Sequence, residues 1–199
     1  MEGKAPLLVE WTVAARSIGS ESGDQYLVSR TEDDGVLVAV VDGLGHGPEA
    51  ASAARTAIGV LEAGRERELG ARFLRCHERL RDTRGVVLSL GLFATGSLTW
   101  LGVGNVDGVL LRSGFGAAEQ LLVRGGVVGR RLPSLALSRL TVSRGDTLIL
   151  ATDGIDQRFA DDPGIAFASP PTAERILADH GKATDDALVL VVRYLGPEA

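Results

Sequence analysis

The sequence is short of several features, and each shortage excludes a class of protein. Among the 199 residues there is one cysteine, Cys76, so no disulfide can form within the chain. This fits a reducing compartment. No apolar run approaches the roughly 18 residues that a membrane-spanning helix needs, and residues 1–6 lack a signal-peptide pattern. We therefore expect a cytoplasmic protein that does not associate with membranes.

Excess positive charge is also missing. The formal net charge is −5, which argues against nucleic-acid binding because such proteins carry basic patches. Cys76 and the histidines at 46, 77 and 180 lack the spacing of a zinc site. No repeat, low-complexity tract or linker interrupts the chain, and 45% of its residues are apolar. We predict a single domain over residues 1–199 with a substantial core.

Apolar periodicity and turn residues predict many strands interrupted by a few helices. Helices are expected over 48–63, over 68–82 with Cys76 as a core residue, and over 173–180, where Pro170-Pro171-Thr172 opens the helix. Strands are expected over 7–17, 26–29, 38–41, 86–92, 97–103, 108–112, 119–123, 139–142, 147–152 and 187–195. Because elements of one type are grouped, we predict an α+β fold with two antiparallel β-sheets flanked by helices.

Two of the predicted strands end in Asp-Gly. Asp42-Gly43 follows the apolar run 38–41, and Asp153-Gly154 follows the run 148–151. One such end is explained equally well by a turn. The chain has two such ends, and it also has Asp24 after a glycine and the pair Asp185-Asp186 before the last strand. This pattern suggests that the acids meet at one rim of a sandwich. Carboxylate oxygens select Mg²⁺ or Mn²⁺ rather than zinc.

Five motifs stand in an order that resembles one enzyme family. They are Ser22-Gly23-Asp24, the stretch from Val41 to Gly47 (VDGLGHG), Gly102-Val103-Gly104-Asn105, Ala151-Thr152-Asp153-Gly154, and Thr184-Asp185-Asp186-Ala187-Leu188. The chain resembles the PP2C-type (PPM) serine/threonine phosphatases over nearly its whole length. It is most similar to their bacterial stress-response and sporulation branch, the SpoIIE/RsbX-like phosphatases.

The resemblance implies a PP2C-like αββα sandwich that hydrolyses phosphoserine and phosphothreonine with a water activated by two Mn²⁺ or Mg²⁺ ions. It implies that Asp42 bridges the two ions and that the carbonyl of Gly43 joins one of them. The other acids implied in the metal site are Asp24, Asp153, Asp185 and Asp186. Asp24 would act through water, and for Asp186, beside the last ligand, the resemblance leaves direct binding open.

The family pattern also raises questions about three polar residues. Many relatives carry a histidine directly after Asp-Gly, where this chain has Leu44, and His46 follows two residues later. We predict that His46 is catalytic and protonates the leaving oxygen; the alternative is that it caps or orients the next helix. Arg16 is a candidate for the phosphate-binding arginine of the eukaryotic relatives. Asn105 is interpreted as a turn residue in the left-handed conformation rather than as a catalyst.

The resemblance finally implies partners. The expected substrates are phosphorylated STAS-domain proteins of the stressosome, dephosphorylated by a monomeric enzyme. No sensor domain is recognised in the 199 residues, which favours negative feedback on a stress signal. The alternatives are a phosphatase of an anti-sigma-factor antagonist and a non-catalytic binding module with the same fold.

Overall fold

The computed structural model describes residues 8–114, 118–162, 165 and 173–197. In these residues the chain forms eleven strands, three α-helices and one 3₁₀ turn. In chain order they are β1 (Val9–Arg16), β2 (Asp24–Arg30), β3 (Val36–Gly43), α1 (Pro48–Ala63), α2 (Leu69–Arg79), β4 (Val86–Ala94), β5 (Ser97–Val103), β6 (Asp107–Leu111), β7 (Glu119–Gln120), β8 (Val123–Arg124), β9 (Ser138–Thr141), β10 (Thr147–Ala151), the 3₁₀ turn (Gln157–Asp161), α3 (Ala173–His180) and β11 (Ala187–Tyr194).

The strands form two sheets. One has the order β1-β11-β10-β6-β7, and the other has the order β2-β3-β4-β5-β8, with β9 pairing along β5 as well. Every pair is antiparallel except β5 with β8, which is parallel. The predicted α+β sandwich of two sheets with helices on its outer faces is confirmed; the small parallel pair is the departure from a purely antiparallel arrangement.

Three apolar layers fill the sandwich. The layer between the sheets includes Val40, Trp100 and Leu190. A second layer lies under α1 and α2, and a third lies under α3. Strands β3 and β11 send alternate residues into the layers on either side, so six of the eight residues of β3, Val36 to Val41, form one buried run. That double burial explains why these strands read as continuous apolar runs in the sequence.

Cys76 belongs to the layer under the helices. It is fully buried, and burial raises the pKa of its thiol to about 12. The prediction that Cys76 is a core residue is confirmed. A thiol that is protonated at neutral pH is a poor nucleophile.

The strand predicted over 119–123 is wrong as a single element. Residues 119–120 pair with β6 in one sheet, and residues 123–124 pair with β5 in the other. Between them Leu121 donates its N–H to the carbonyl of Gly108, and the carbonyl of Leu122 accepts from the indole nitrogen of Trp100. The chain thus crosses from one sheet to the other, which an apolar pattern cannot reveal because both sheets accept the same residues.

The predicted helix opening at Pro170-Pro171-Thr172 lies outside the described residues. None of the helices in the described ranges combines the length and the apolar character that crossing a bilayer requires.

Candidate active site

The acids predicted from the sequence meet at one end of the sandwich. Asp24 begins β2 and lies directly across from Asp42, near the end of β3. Asp153 follows the end of β10, and Asp185 precedes the start of β11, which is the antiparallel neighbour of β10. The hydroxyl of Thr152 donates to Asp24 Oδ2 at 2.8 Å, so one hydrogen bond joins the acid-bearing ends of the two sheets.

The glycines after Asp42 and Asp153 permit close packing. A Cβ on Gly43 would overlap the carbonyl of Ala50 in the first turn of α1, and one on Gly154 would overlap the carbonyl of Asp186. Neither glycine has a positive φ, so a left-handed conformation is not the reason for glycine at either place. Asp153 and Gly154 do form a turn, closed by the N–H of Ile155 donating to the carbonyl of Thr152 at 3.0 Å. Glycine is needed at both places because another segment of backbone lies against the acid-bearing strand end.

Burial and mutual repulsion dominate the electrostatics of this rim. Burial raises the pKa of Asp24 to about 7; the carboxylates of Asp186, Asp153 and Asp185 add to the rise, and the Thr152 hydrogen bond opposes it. Burial, with the charge of Asp24 next, raises the pKa of Asp42 to about 8. Burial and then the charge of Asp185 raise the pKa of Asp153. Such a concentration of negative charge favours a bound cation.

Asn105 is a member of the rim that the sequence interpretation missed. Its amide donates to Asp153 Oδ2 at 2.7 Å, while Lys182 Nζ donates to the Asp153 carbonyl at 2.6 Å. The left-handed conformation expected for Asn105 is wrong: its neighbour Gly104 has φ 113°, and Asn105 itself does not have a positive φ. A usable signal was present, because Asn105 follows the end of β5 by two residues, as Asp153 follows β10.

The two neighbouring acids before β11 face different ways. Asp186 accepts hydrogen bonds from the backbone N–H groups of Ile18 at 2.8 Å and Gly23 at 2.9 Å, and from the Ser17 hydroxyl at 3.2 Å. Burial would raise the pKa of Asp186, but these bonds outweigh it and lower the pKa. Asp185 instead lines the cleft at the rim. Asp186 therefore braces the 17–23 loop, and Asp185 faces the space where a ligand would bind.

The cleft has a volume of about 610 Å³, and its lining includes Asp42, His46, Asn105, Asp153 and Asp185. His46 is exposed. No side-chain hydrogen bond caps the N-terminus of α1, so the capping alternative for His46 finds no support. Arg16 is absent from the described lining of the cleft; its guanidinium donates to the Lys182 carbonyl instead.

The rim is not a closed cage of ligands. Within the described ranges, no three His, Cys, Asp or Glu side chains are grouped as ligands of one ion. Asp186 is turned toward the 17–23 loop, and Asp185 is exposed. The structure brings the predicted residues to one place, and their individual ligand roles stay predictions.

Comparison with known proteins identifies relatives of the whole fold. Residues 32–195 match the family model described as stage II sporulation protein E (SpoIIE). The matched range contains Asp42, Asp153, Asp185 and Asp186, and Asp24 precedes it. No curated protein matches the chain.

Solved structures extend this result. A chain from work on the bacterial stressosome, described as a modular system adapted to control secondary messenger signaling, is 32% identical with a TM-score of 0.82, covering 93% of this chain and 99% of its own. RsbX in complex with magnesium is 19% identical with a TM-score of 0.80, covering 94% and 95%. The PP2C domain of SpoIIE from Bacillus subtilis, with a fragment of its regulatory domain, is 21% identical with a TM-score of 0.77, covering 95% and 64%.

Proposed function

The chain belongs to the SpoIIE family of PP2C-type phosphatases, and from this we propose that it is a metal-dependent hydrolase of phosphoserine and phosphothreonine in proteins. The observation that carries the proposal is the meeting of Asp24, Asp42, Asp153 and Asp185 at one rim, from both sheets of the sandwich. A non-catalytic binding module would not require this set of acids to be intact.

The donor set fits Mg²⁺ or Mn²⁺. It offers carboxylate oxygens and the Gly43 carbonyl, which are hard ligands, and it offers no thiolate. The raised pKa values of Asp24 and Asp42 show a site where a nearby cation would favour the charged carboxylates. We propose that Asp42, Asp153 and Asp185 would hold two such ions. Ions bound there would supply an activated water and neutralise charge on the phosphoryl oxygens.

Other residues of the chain have supporting roles in this proposal. Asn105 fixes one oxygen of Asp153, which leaves the other oxygen to face the cleft. Thr152 orients Asp24, and its hydroxyl oxygen also accepts from the backbone N–H of Leu188. His46, exposed at the cleft, donates a proton to the departing serine or threonine oxygen. Asp186 acts through the 17–23 loop rather than as a ligand.

For the substrate we propose phosphorylated STAS-domain proteins of the stressosome, with the enzyme acting as a cytoplasmic monomer in negative feedback. The support is the 32% identical chain from the stressosome work together with the shared fold of RsbX. The second candidate, which the family resemblance leaves open, is the phosphorylated antagonist of an anti-sigma factor. The two candidates use the same chemistry and differ in the partner that the surface selects.

The test compares hydrolysis rates with added Mn²⁺ on three substrates: a phosphorylated STAS-domain protein, a phosphorylated anti-sigma-factor antagonist and p-nitrophenyl phosphate. We expect Asp42→Asn to lower all three rates at least about 100-fold, since even the partners of metal ligands are worth 10–100-fold. His46→Ala should slow the phosphoproteins about 100-fold and p-nitrophenyl phosphate far less, because nitrophenolate leaves without a proton. An unchanged rate in Asp42→Asn would overturn the assignment of the site.

A further inference from the structure

One wall of the cleft is apolar, which the hydrolysis of a phosphate ester does not require. Ile18, Leu44, Val87 and Val127 line the same cleft as the acids. These four residues come from four separate segments of the chain: the β1–β2 loop, the β3–α1 loop, β4 and the loop after β8. We call them the apolar wall.

Ile18 is the most exposed member of the apolar wall. Its exposed fraction is 53%, the highest among the large hydrophobic residues exposed in the described chain. Burial in the core therefore does not explain an isoleucine at this position. Its position beside three other apolar residues of the cleft, rather than its exposure alone, makes it part of a continuous apolar surface next to the acids.

The loop that carries Ile18 is held in place before any partner arrives. Asp186 accepts the Ile18 backbone N–H at 2.8 Å. In the same loop the Ser17 hydroxyl oxygen accepts from the backbone N–H of Gly19 at 3.3 Å. A side chain on a braced loop loses little freedom on binding, so its contact contributes more to affinity. Asp186 holds the loop that carries Ile18, and the residue before it in the chain, Asp185, lines the cleft.

The charges around the cleft restrict what can bind there. In the described lining no residue is a lysine or an arginine, while Asp42, Asp153 and Asp185 are acidic. Arg84, which lies beside Gly45, is already paired with Glu49. With the acids holding cations, the described lining offers no further charged side chain for an ionic contact with a substrate. Apolar contact is the recognition that the lining offers beyond the phosphate itself.

We propose that the apolar wall docks an apolar side chain next to the phosphorylated serine or threonine of a protein substrate. The apolar wall and the acids line the same cleft. A side chain next to the phosphorylated residue would therefore contact the apolar wall when the phosphate reaches the acids. This inference rests on the proposed function and adds a sequence preference to it. Ile18 is its main specificity residue, and Asp186 is a positioning residue that acts through the loop.

The experiment uses two phosphoserine peptides of equal length, with leucine or with serine on either side of the phosphoserine, and p-nitrophenyl phosphate as a third substrate. With Mn²⁺ present, we expect kcat/KM of the intact protein to be at least about tenfold higher for the leucine peptide, since an apolar group in an apolar pocket gives 10–200-fold discrimination. Ile18→Ser should reduce the ratio to about threefold or less. The ratio cancels any general loss of activity, because both peptides undergo the same reaction.

Leu122→Ser is the matched control. Leu122 is 52% exposed and lies outside the apolar wall, so its substitution should leave the peptide ratio unchanged. Ile18→Val, which keeps most of the apolar surface, should preserve the preference. Equal kcat/KM for the two peptides in the unmodified protein, or an unchanged ratio in Ile18→Ser, would overturn the inference while hydrolysis of p-nitrophenyl phosphate keeps the proposed function. If all three substrates stay intact, both proposals fail together.

Discussion

A buried aspartate lies at each end of β10, and the surroundings of the two differ. Asp146 precedes the strand and is 3% exposed; Asp24, bonded to Thr152 at the other end, is 5% exposed. Burial opposes ionisation of both. Asp146 nevertheless has a lowered pKa, because it accepts from the N–H groups of Ser113 and Ser143 and pairs with Arg112. Asp24 has a pKa raised to about 7, with three further carboxylates nearby.

The difference separates acids that stabilise the fold from acids that serve a site. Donors surround Asp146, so its charge adds to stability. The rim acids have each other as neighbours, and their charges cost stability until a cation joins them. Natural proteins keep such unfavourable groups together chiefly where they serve function. The comparison therefore points to the rim without reference to any relative.

The largest effects are expected from one substitution at each end, which should have opposite consequences for activity and stability. Asp153→Asn should lower the Mn²⁺-dependent rate at least about 100-fold with no loss of thermal stability, because it removes a ligand together with a repulsive charge. Asp146→Asn should leave the rate within about twofold and lower the free energy of unfolding by about 3 kcal/mol, because it breaks a buried, charge-assisted network. Steady-state kinetics measure the rates of the two variants, and thermal melts measure their stabilities.

The comparison would fail if both variants behaved alike. A catalytic loss in Asp146→Asn at temperatures where it is fully folded would mean that the far end participates in the site. A melting temperature that fell equally in Asp153→Asn would mean that Asp153 also stabilises the fold.

Much of this arrangement is visible in the sequence. Apolar runs that stop at Asp-Gly located Asp42 and Asp153, and the two-sheet class followed from short turns and grouped helices. These signals are local, since a strand end and its acid are adjacent in the chain. Which of Asp185 and Asp186 faces the cleft is not local. It depends on the backbone of residues 17–23, more than 160 positions away.

The same reason explains the errors. The apolar residues 121–123 would suit a strand of either sheet, and the division of the segment depends on where β5 and β6 lie. Asn105 looked like a turn residue because its partner, Asp153, is 48 positions away in the chain. A hydrogen bond between residues far apart in the chain cannot be predicted from one sequence. The period of the apolar residues, in contrast, identifies a helix or a strand locally.

A second, smaller effect is expected at Asn105. Asn105→Ala should lower kcat about 10–100-fold, the usual effect of losing a partner that orients a metal ligand. It should also raise the Mn²⁺ concentration needed for half-maximal activity, because Asp153 loses its fixed orientation. Mn²⁺ titrations of the steady-state rate measure both values.

Asn105→Asp is the informative companion to Asn105→Ala. It keeps the size of the side chain but adds a carboxylate against Asp153 Oδ2. Repulsion should lower the activity further than the alanine variant does unless Mn²⁺ is in excess. Rates equal to the unmodified protein in both variants would show that the hydrogen bond from Asn105 plays no part in positioning Asp153.

The two ends should also differ in how the stability of the protein depends on pH. Asp24 and Asp42 have folded pKa values of about 7 and about 8, far above the value of about 3.9 in an unfolded chain. Between about pH 4 and pH 8 the folded protein therefore holds more protons at the rim than the unfolded chain does. Stability must fall as the pH rises through that window. Asp146 has a lowered pKa, so its contribution is lost only as the pH falls below about 4.

Thermal melts of chelator-treated protein from pH 5 to pH 8.5 measure this dependence. The melting temperature should decrease toward pH 8.5, and added Mg²⁺ should raise it more at pH 8 than at pH 6, because cation binding competes with the retained protons. Asp42→Asn should flatten the decrease, whereas Asp146→Asn should lower the whole curve without changing its slope above pH 5. All other groups are common to both variants, so the difference between the two slopes isolates the rim. Parallel slopes would mean that Asp42 is ionised at neutral pH in the folded protein and that the rim holds its charges without strain.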